Sequence, residues 1–271
     1  MSKVRLAVIG NGMVGHRFIE ELMEKAQPGQ FEITVFCEEP RLAYDRVHLS
    51  SYFSHHTAEE LSLVREGFYE KHNIQVLVGE RAITINRQEK VIHSTSGRTV
   101  WYDKLVMATG SYPWIPAIQG ADTQDCFVYR TIEDLNAIEA CSRRSKRGAV
   151  IGGGLLGLEA AHALSQLGLE THVVEFAPRL MAVQLDDGGA AMLRRKIDAL
   201  GVTVHTGHET KSITDGSSAR HCLTFADGST LESDLVLFSA GIRPRDALAR
   251  ESDLAVGPRG GTVIDNQCRT S

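Results

Sequence analysis

The sequence predicts an α/β fold in which one succession of strand, glycine-rich turn, helix and strand occurs twice. A run at 4–9 that is apolar except for Arg5 leads into the first glycine-rich turn, and the same succession begins again at 149. Continuous apolar runs are typical of parallel strands that are buried on both faces. A strand, a helix and a second strand within about 35 residues have the size of a βαβ unit. The chain is therefore predicted to contain two Rossmann-like, three-layer domains that each bind a dinucleotide.

The composition fits a globular protein and argues against two classes of partner. The 271 residues, 42% apolar and 23% charged, suffice for two compact domains. The net charge is −5 without a long basic run, so we expect no nucleic-acid partner. The basic cluster at 143–147 has no aromatic residues around it and is interpreted as a solvated helix end. No stretch reaches the ~18 apolar residues of a membrane helix, so we expect no membrane partner.

The cysteines and histidines form no recognisable metal motif. The five cysteines have no C-x-x-C spacing, which argues against zinc, iron–sulfur and dithiol motifs. Scattered cysteines are typical of the reducing cytoplasm. His48, His55 and His56 share one polar stretch, but two of them are adjacent and no carboxylate or cysteine has ligand spacing with them. We predict a cytoplasmic protein with no metal site.

The order of the predicted elements divides the chain. The first set comprises strands at 4–9, 31–36, 74–78, 82–86, 90–93 and 104–108 and helices at 14–25 and 61–71. The second set comprises strands at 149–151, 171–174, 202–205 and 235–239 and helices at 155–167 and 190–200. We predict a first domain at 1–115, a second domain inserted at 116–245, and the start of a return to the first domain at 246–271.

The first glycine-rich turn fits the pattern G-x-G-x-x-G between a strand and a helix. Gly10 permits the tight turn, Gly12 lets the backbone approach a pyrophosphate, and Gly15 lets the helix pack closely on the strand. The phosphates would lie at the helix N-terminus, where amides are free and the macrodipole is positive. The second strand ends at Glu38 and Glu39, where a carboxylate can accept hydrogen bonds from both ribose hydroxyls.

The second glycine-rich turn repeats this spacing at Gly152, Gly154 and Gly157. The strand that follows its helix ends at Glu175, whose carboxylate favours a free 2′-hydroxyl and repels a 2′-phosphate. NADH is therefore expected to bind in preference to NADPH. Arg179 would soften this preference if it paired with a phosphate.

Glu159 and the strand ends extend the predicted sites. Glu159 is interpreted either as a favourable charge at a helix N-terminus or as a carboxylate beside the nicotinamide pocket, and the sequence leaves both readings open. Thr109-Gly110 and Gly241 each end a buried strand where the chain would cross near a cofactor. Two loops need two dinucleotides, and hydride exchange normally pairs a nicotinamide with a bound flavin.

These patterns resemble the two-dinucleotide flavoprotein family that includes glutathione reductase, NADH oxidases and rubredoxin or ferredoxin reductases. Four segments are more specific than the glycine loops and resemble the large subunits of bacterial NAD(P)H-dependent nitrite reductases. They read CEEPRLAYDRVHLSSYF at 37–53, LVREGFYEKH at 63–72, YPWIP at 112–116 and YRTIEDL at 129–135. The likeness covers the whole chain.

The glycine loops and the resemblance together imply two sets of cofactor contacts. The set expected to contact FAD is Gly10, Asn11, Gly12, Met13, Val14, Gly15, Glu38, Glu39, Arg46, Ala82, Ala108, Thr109 and Gly110. The set expected to contact NADH is Gly152, Gly153, Gly154, Leu155, Leu156, Gly157, Glu175, Arg179 and Gly241, with Glu159 as the catalytic candidate.

The resemblance implies hydride transfer from NADH, with NADPH as the open alternative, to FAD. Electrons would then pass singly to iron–sulfur and sirohaem centres outside this chain. It also implies a small nitrite reductase subunit, a second copy of the chain, or both as partners. Two other interpretations stay open: an NADH-dependent reductase of a small rubredoxin- or ferredoxin-type carrier, and a module that binds NADH without catalysis.

The chain departs from the family pattern in two places. Disulfide-using relatives have a reactive cysteine near the position of Ser50 and Ser51, so no thiol relay is expected here. The chain returns to the first domain with an expected strand at 261–265, and it ends before the Gly-Asp/Glu segment that holds the flavin ring in the family. We therefore expect weak FAD retention by these 271 residues.

Overall fold

The computed structural model describes residues 3–54 and 57–271. The chain divides into two compact units. Unit 1 comprises Met1–Arg46, Ala58–Tyr112 and Arg243–Ser271, and unit 2 comprises Val47–Thr57 and Pro113–Ile242. The predicted α/β class, with one nucleotide fold inserted in another, is confirmed.

Unit 1 is built from short strands with one long helix. Its elements up to residue 113 are β1 Val4–Ile9, α1 Met13–Lys25, β2 Phe31–Cys37, α2 Phe68–Lys71, β3 Gln75–Val78, β4 Ala82–Asn86, β5 Val91–Ser94, β6 Thr99–Trp101, β7 Lys104–Met107 and β8 Ser111–Pro113.

A parallel sheet with the order β3-β2-β1-β7 forms the centre of unit 1. Val8 and Val35 are fully buried in the strands, and Ile19 of α1 packs into the same core. The apolar positions of α1 share one helical face, so burial of that face holds the helix against the sheet. A separate antiparallel sheet, β4-β5-β6, completes this part of the unit.

Unit 2 repeats the pattern with more strands. Its elements are a 3₁₀ helix at Leu49–Ser54, then β9 Cys126–Val128, α3 Ile132–Ser142, β10 Arg147–Ile151, α4 Leu155–Gln166, β11 Glu170–Glu175, α5 Asp187–Ala199, β12 Val202–Thr206, β13 Thr210–Asp215, β14 His221–Phe225, β15 Thr230–Ser233 and β16 Leu235–Phe238. The chain then continues with β17 Ile242–Pro244 and α6 Ala247–Glu251.

A parallel sheet with the order β12-β11-β10-β16-β9 forms the centre of unit 2. Val150, Val173 and Leu237 are fully buried in it. Leu223 and Phe225 of an antiparallel sheet, β13-β14-β15, share a core with Ile151 and Phe238 of this parallel sheet. The strands and helices that the sequence predicted for this unit are present, with ends shifted by up to three residues.

Two sequence-based predictions of local structure are wrong. The predicted helix at 61–71 is helical only at Phe68–Lys71. Ser62 instead forms an isolated antiparallel bridge with Tyr44: the Asp45 N–H donates to the Leu61 carbonyl, and the Leu63 N–H donates to the Ala43 carbonyl. Pairing with a distant segment has therefore outweighed the local helical pattern.

The predicted strand at 261–265 is also absent from the described residues. Only an isolated antiparallel bridge between Val256 and Thr262 occurs there. Gly260 and Gly261 both have φ of +85°, which turns the chain back instead of extending it. In the part of the chain that the structure describes, no helix is long and apolar enough to span a membrane.

Candidate nucleotide-binding sites

The first glycine loop connects β1 to α1, and two of its glycines are required by geometry. Gly10 has φ of +111°, and a Cβ atom on it would lie 2.2 Å from the Ala108 carbonyl oxygen. A Cβ on Gly15 would lie 2.0 Å from the Gly10 carbonyl oxygen. Contacts this short cannot form, so only glycine lets the loop, the helix and the neighbouring strand approach this closely.

Gly12, between these two glycines, is open. It caps α1, and a Cβ on it would meet no described atom within 4 Å. No side chain of the described residues caps this helix end, and its first turn holds no acidic residue. The first-turn amides and the positive end of the helix dipole therefore face a space that an anion can occupy.

The second glycine loop, between β10 and α4, has the same geometry. Gly152 has φ of +120°, and a Cβ on it would lie 2.3 Å from the Ser239 carbonyl oxygen. A Cβ on Gly157 would lie 1.9 Å from the Gly152 carbonyl oxygen, whereas one on Gly154 would meet no described atom within 4 Å. Each unit thus contains an open space for an anion at a helix N-terminus, at Gly12 in unit 1 and at Gly154 in unit 2, which we call its cradle.

Glu38 and Glu39 at the end of β2 have different surroundings. Glu38 is about half exposed, accepts a hydrogen bond from Arg245 Nη1 at 2.8 Å, and lies 3.7 Å from Arg81 Nη1. Glu39 is less exposed: it accepts a hydrogen bond from the Tyr44 hydroxyl at 2.7 Å and pairs with Arg46. Glu38 is therefore the more accessible carboxylate, whereas Glu39 is engaged in an ion pair with Arg46.

A cavity of about 250 Å³ in unit 1 lies beside the first loop and Glu38. Four of the predicted FAD contacts line it: Gly10, Glu38, Ala82 and Thr109. Sequence reasoning missed Arg245, which also lines the cavity. Its backbone N–H donates to the Gly110 carbonyl at 2.9 Å, and its carbonyl accepts from the Thr109 hydroxyl at 2.9 Å.

Asn11 lies behind the first loop in a buried chain of hydrogen bonds. Its side-chain carbonyl accepts from the Ala43 N–H, and its amide donates to the Tyr69 hydroxyl at 2.7 Å. The Tyr69 hydroxyl contacts Nδ1 of His16 at 2.8 Å, and Nε2 of His16 contacts the Leu63 carbonyl at 3.1 Å. Because a carbonyl only accepts, Nε2 carries the proton and Tyr69 donates to Nδ1. Burial lowers the pKa of His16, which fits this neutral ring.

Glu175 at the end of β11 braces the second loop. Its carboxylate accepts hydrogen bonds from the Gly153 N–H at 2.5 Å and the Ala177 N–H at 2.7 Å. Arg179 is held by the carbonyls of Ala182 and Leu185 and lies 3.1 Å from Asp187 Oδ1. Pairing with a 2′-phosphate would require Arg179 to leave these partners.

A cavity of about 910 Å³ in unit 2 opens beside the second loop. Six predicted NADH contacts line it: Gly152, Gly154, Leu155, Leu156, Glu175 and Gly241. Trp114, Tyr129, Phe176 and Thr210 line it as well and were missed. Phe176 is 72% exposed directly after Glu175, so an aromatic residue after the acidic strand end was an available signal. Tyr129 follows β9, a strand that the sequence analysis did not predict.

Glu159 of α4 is half-buried and does not line this cavity. Burial, and then the charge of Glu159, raise the pKa of the Tyr129 hydroxyl. Glu159 is therefore close enough to Tyr129 to influence it electrostatically. Its assignment as the catalytic residue stays a prediction.

Metal ligation has no support in the described ranges 3–54 and 57–271, where no group of three or more His, Cys, Asp or Glu side chains is arranged to hold a metal ion. His55 and His56 lie outside the described residues. The five cysteines are free thiols, and Ser50 and Ser51 lie in the 3₁₀ helix.

Two parallel sheets, each with a glycine loop and a cavity at its carboxyl edge, have the architecture of a protein with two dinucleotide-binding folds. The family model described as pyridine nucleotide-disulphide oxidoreductase matches residues 4–271, so the chain belongs to this family. The nitrite reductase (NADH) large subunit of Escherichia coli strain K12 is 74% identical over 272 residues, covering all of this chain and 32% of the relative. The nitrite reductase [NAD(P)H] large subunit of Klebsiella oxytoca is 55% identical, covering all of this chain and 28% of the relative.

A solved ferredoxin reductase from Rhodopseudomonas palustris has a TM-score of 0.91 to this chain at 27% identity, covering 99% of this chain and 66% of that one. The resemblance to nitrite reductase large subunits, predicted from four sequence segments, is confirmed by the two curated relatives. The chain spans about a third of the length of those relatives.

Proposed function

We propose that this chain transfers hydride from NADH to FAD, with FAD in unit 1 and NADH in unit 2. The observation that carries this proposal is the open cradle repeated at Gly12 and Gly154, each at the N-terminus of a helix that follows a buried parallel strand. A protein with two dinucleotide sites and no thiol relay suits direct exchange between a nicotinamide and a flavin.

The residues of unit 1 fit the adenosine and pyrophosphate part of FAD. The α1 amides at Gly12 would hold the pyrophosphate, and Glu38 would accept from the ribose hydroxyls after releasing Arg245. Ala82 lines the same cavity, and its backbone would meet the adenine. FAD, when bound, supplies a hydride acceptor that can pass electrons on singly.

The residues of unit 2 fit an extended NADH. The α4 amides at Gly154 would hold its pyrophosphate. Glu175 is fixed by the Gly153 and Ala177 N–H groups and would present its remaining acceptor capacity to the adenosine ribose. Because a 2′-phosphate would meet this carboxylate, we propose that NADH binds in preference to NADPH.

The names of the relatives support a place for this transfer in nitrite reduction. We propose that the electrons leave toward sirohaem and iron–sulfur centres, which the family resemblance implies. The relatives named as large subunits also support a small-subunit partner. None of the five cysteines here has the spacing that holds an iron–sulfur cluster, so the centres would lie outside these 271 residues.

The test is a titration of the purified chain with NADH and NADPH, followed by quenching of tryptophan fluorescence, because Trp114 lines the unit 2 cavity. FAD content after reconstitution and NADH-dependent reduction of ferricyanide are measured on the same preparation. We expect NADH to bind more tightly than NADPH and ferricyanide to be reduced only when FAD is bound. NADH binding with no FAD uptake would favour a nucleotide-binding module, and binding of neither ligand would refute the proposal.

A further inference from the structure

Two hydroxyls of the unit 2 cavity lack a hydrogen-bond partner among the described residues. Tyr129 is 7% exposed and Thr210 is 9% exposed, and both line the cavity. The Tyr129 hydroxyl and Thr210 Oγ1 are buried, and neither has a partner in the part of the chain that the structure describes. Buried polar atoms of this kind are rare in native proteins because each lost hydrogen bond is costly. Their position points to a ligand that completes them.

Tyr129 is placed by the parallel sheet of unit 2. The register pairs Val174 with Ile151, Ile151 with Phe238, and Phe238 with Val128. The next residues, Glu175, Gly152, Ser239 and Tyr129, therefore follow the carboxyl ends of four adjacent strands. With strands about 4.8 Å apart, Glu175 and Tyr129 lie roughly 14 Å apart along this edge.

This row gives the direction in which a dinucleotide would lie. The proposed function places the adenosine ribose at Glu175 on β11 and the pyrophosphate at the loop that follows β10. The other half of an extended dinucleotide then falls over the ends of β16 and β9, where Tyr129 lies.

The Tyr129 ring is held in place from within unit 2. The Phe53 ring stacks on it with centroids 6.3 Å apart and planes 30° apart. Burial and the charge of Glu159 both raise the pKa of the Tyr129 hydroxyl, so the hydroxyl keeps its proton at neutral pH. A fixed, protonated phenol is a hydrogen-bond donor that is ready for a neutral acceptor.

We propose that Tyr129 binds the nicotinamide end of NADH by donating its hydroxyl hydrogen to the carboxamide oxygen. The Tyr129 hydroxyl would then strengthen the binding of a dinucleotide that carries a nicotinamide and would not affect the binding of the same ligand without it. This inference rests on the proposed function, because it takes the unit 2 cavity as the NADH site. The two are separable by experiment, since ADP-ribose carries every part of the ligand except the nicotinamide.

The test is calorimetric titration of the parent chain and of Tyr129→Phe with NADH and with ADP-ribose, together with thermal melts in the absence of ligand. Loss of one neutral hydrogen bond should weaken NADH binding by about three- to tenfold and leave ADP-ribose binding unchanged. Because the removed hydroxyl has no partner among the described residues, the Tm of Tyr129→Phe should equal or exceed that of the parent.

Tyr52→Phe is the matched control. The Tyr52 hydroxyl, also in unit 2, donates to Asn136 Oδ1 at 2.6 Å, so its removal breaks a bond and should leave both ligand affinities unchanged. Equal NADH affinity in the parent and Tyr129→Phe would overturn the inference but not the proposed function. Equal weakening of NADH and ADP-ribose would also overturn it. Failure of the parent chain to bind either ligand would overturn the proposed function as well.

Discussion

Replacing Glu175 with alanine would test whether one carboxylate both braces the second glycine loop and selects the cofactor. In the structure, this carboxylate accepts hydrogen bonds from the Gly153 and Ala177 N–H groups. In Glu175→Ala, both N–H groups lose a charged acceptor. Hydrogen bonds to charged groups contribute about 1.5–3 kcal/mol each, and the site is only half-buried, so we expect the free energy of unfolding to fall by ~2 kcal/mol in total.

The same substitution removes the charge that a 2′-phosphate would meet. Two unit charges 4 Å apart at an effective dielectric constant of 20 repel each other by about 4 kcal/mol, and solvent access at this half-buried site reduces that figure. Loss of the hydrogen bonds between the ribose and Glu175 weakens NADH binding at the same time. We expect the difference between NADH and NADPH binding free energies to narrow by about 1–2 kcal/mol, which is roughly a factor of 5 to 30 in the ratio of Kd values.

For Glu175→Ala, calorimetric titrations with NADH and NADPH measure the difference in binding free energy, and chemical denaturation measures the free energy of unfolding. Glu232→Ala is the matched control, because Glu232 also accepts hydrogen bonds from two backbone N–H groups, those of Ser217 and Ser218, but does not line the unit 2 cavity. The control should lose stability and keep its nucleotide preference. If Glu175→Ala weakens NADH and NADPH equally, the carboxylate acts only through the loop and its role in selection is refuted.

Three further predictions follow from the glycine loops and the buried histidine. Gly12→Val should abolish FAD retention and keep NADH binding, whereas Gly154→Val should abolish NADH binding and keep FAD. The Tm should not change in Gly154→Val, because a Cβ at either position meets no described atom within 4 Å. FAD content and NADH calorimetry check this prediction, and loss of both ligands in either variant contradicts it. Gly15→Ala should cost about 3 kcal/mol of stability or more, since its Cβ would lie 2.0 Å from the Gly10 carbonyl oxygen, with Gly12→Ala as the neutral comparison in thermal melts. Burial lowers the folded-state pKa of His16 below its ordinary value, so the unfolded chain binds the proton first as the pH falls. The contribution of His16 to the free energy of unfolding is therefore complete above about pH 6.5 and is lost below it. Denaturation curves of His16→Gln should show a smaller loss of stability between pH 7 and pH 5 than those of the parent, whereas an identical loss would refute the neutral ring.

The parts of the fold that the sequence predicted correctly are those specified by local patterns. The strands that precede the glycine loops end in buried apolar runs, at 6–9 and 149–151, and the glycines at 10 and 152 occur where φ is positive. A position that only glycine can occupy and a strand that is buried on both faces are both recognisable in a single sequence. Both loops were therefore predictable with their supporting helices.

The parts that were missed depend on distant segments. Residues 61–63 have a helical pattern but pair with residues 43–45, and the 3₁₀ helix at Leu49–Ser54 packs in unit 2 although both flanking segments belong to unit 1. Glu38 and Glu39 are adjacent and chemically alike in the sequence. The structure distinguishes them by their partners: Glu38 pairs with Arg245, 207 residues away, at the cavity, whereas Glu39 pairs with Tyr44 and Arg46. Local patterns carry no information about such contacts.

The two loops share a backbone geometry but differ in how their acidic residues are compensated. In unit 1, Arg81 and Arg245 both lie beside Glu38, so the charge of that carboxylate is largely balanced within the cavity. In unit 2, Glu175 is held by neutral N–H groups, while Arg179 is held by the carbonyls of its own loop and by Asp187. Among the described residues, Glu38 therefore has arginine partners, whereas Glu175 has no Lys or Arg partner. A carboxylate without a cationic partner repels a 2′-phosphate, so this difference between two similar glycine loops fits the assignment of NADH to unit 2 and of FAD, which has no 2′-phosphate, to unit 1.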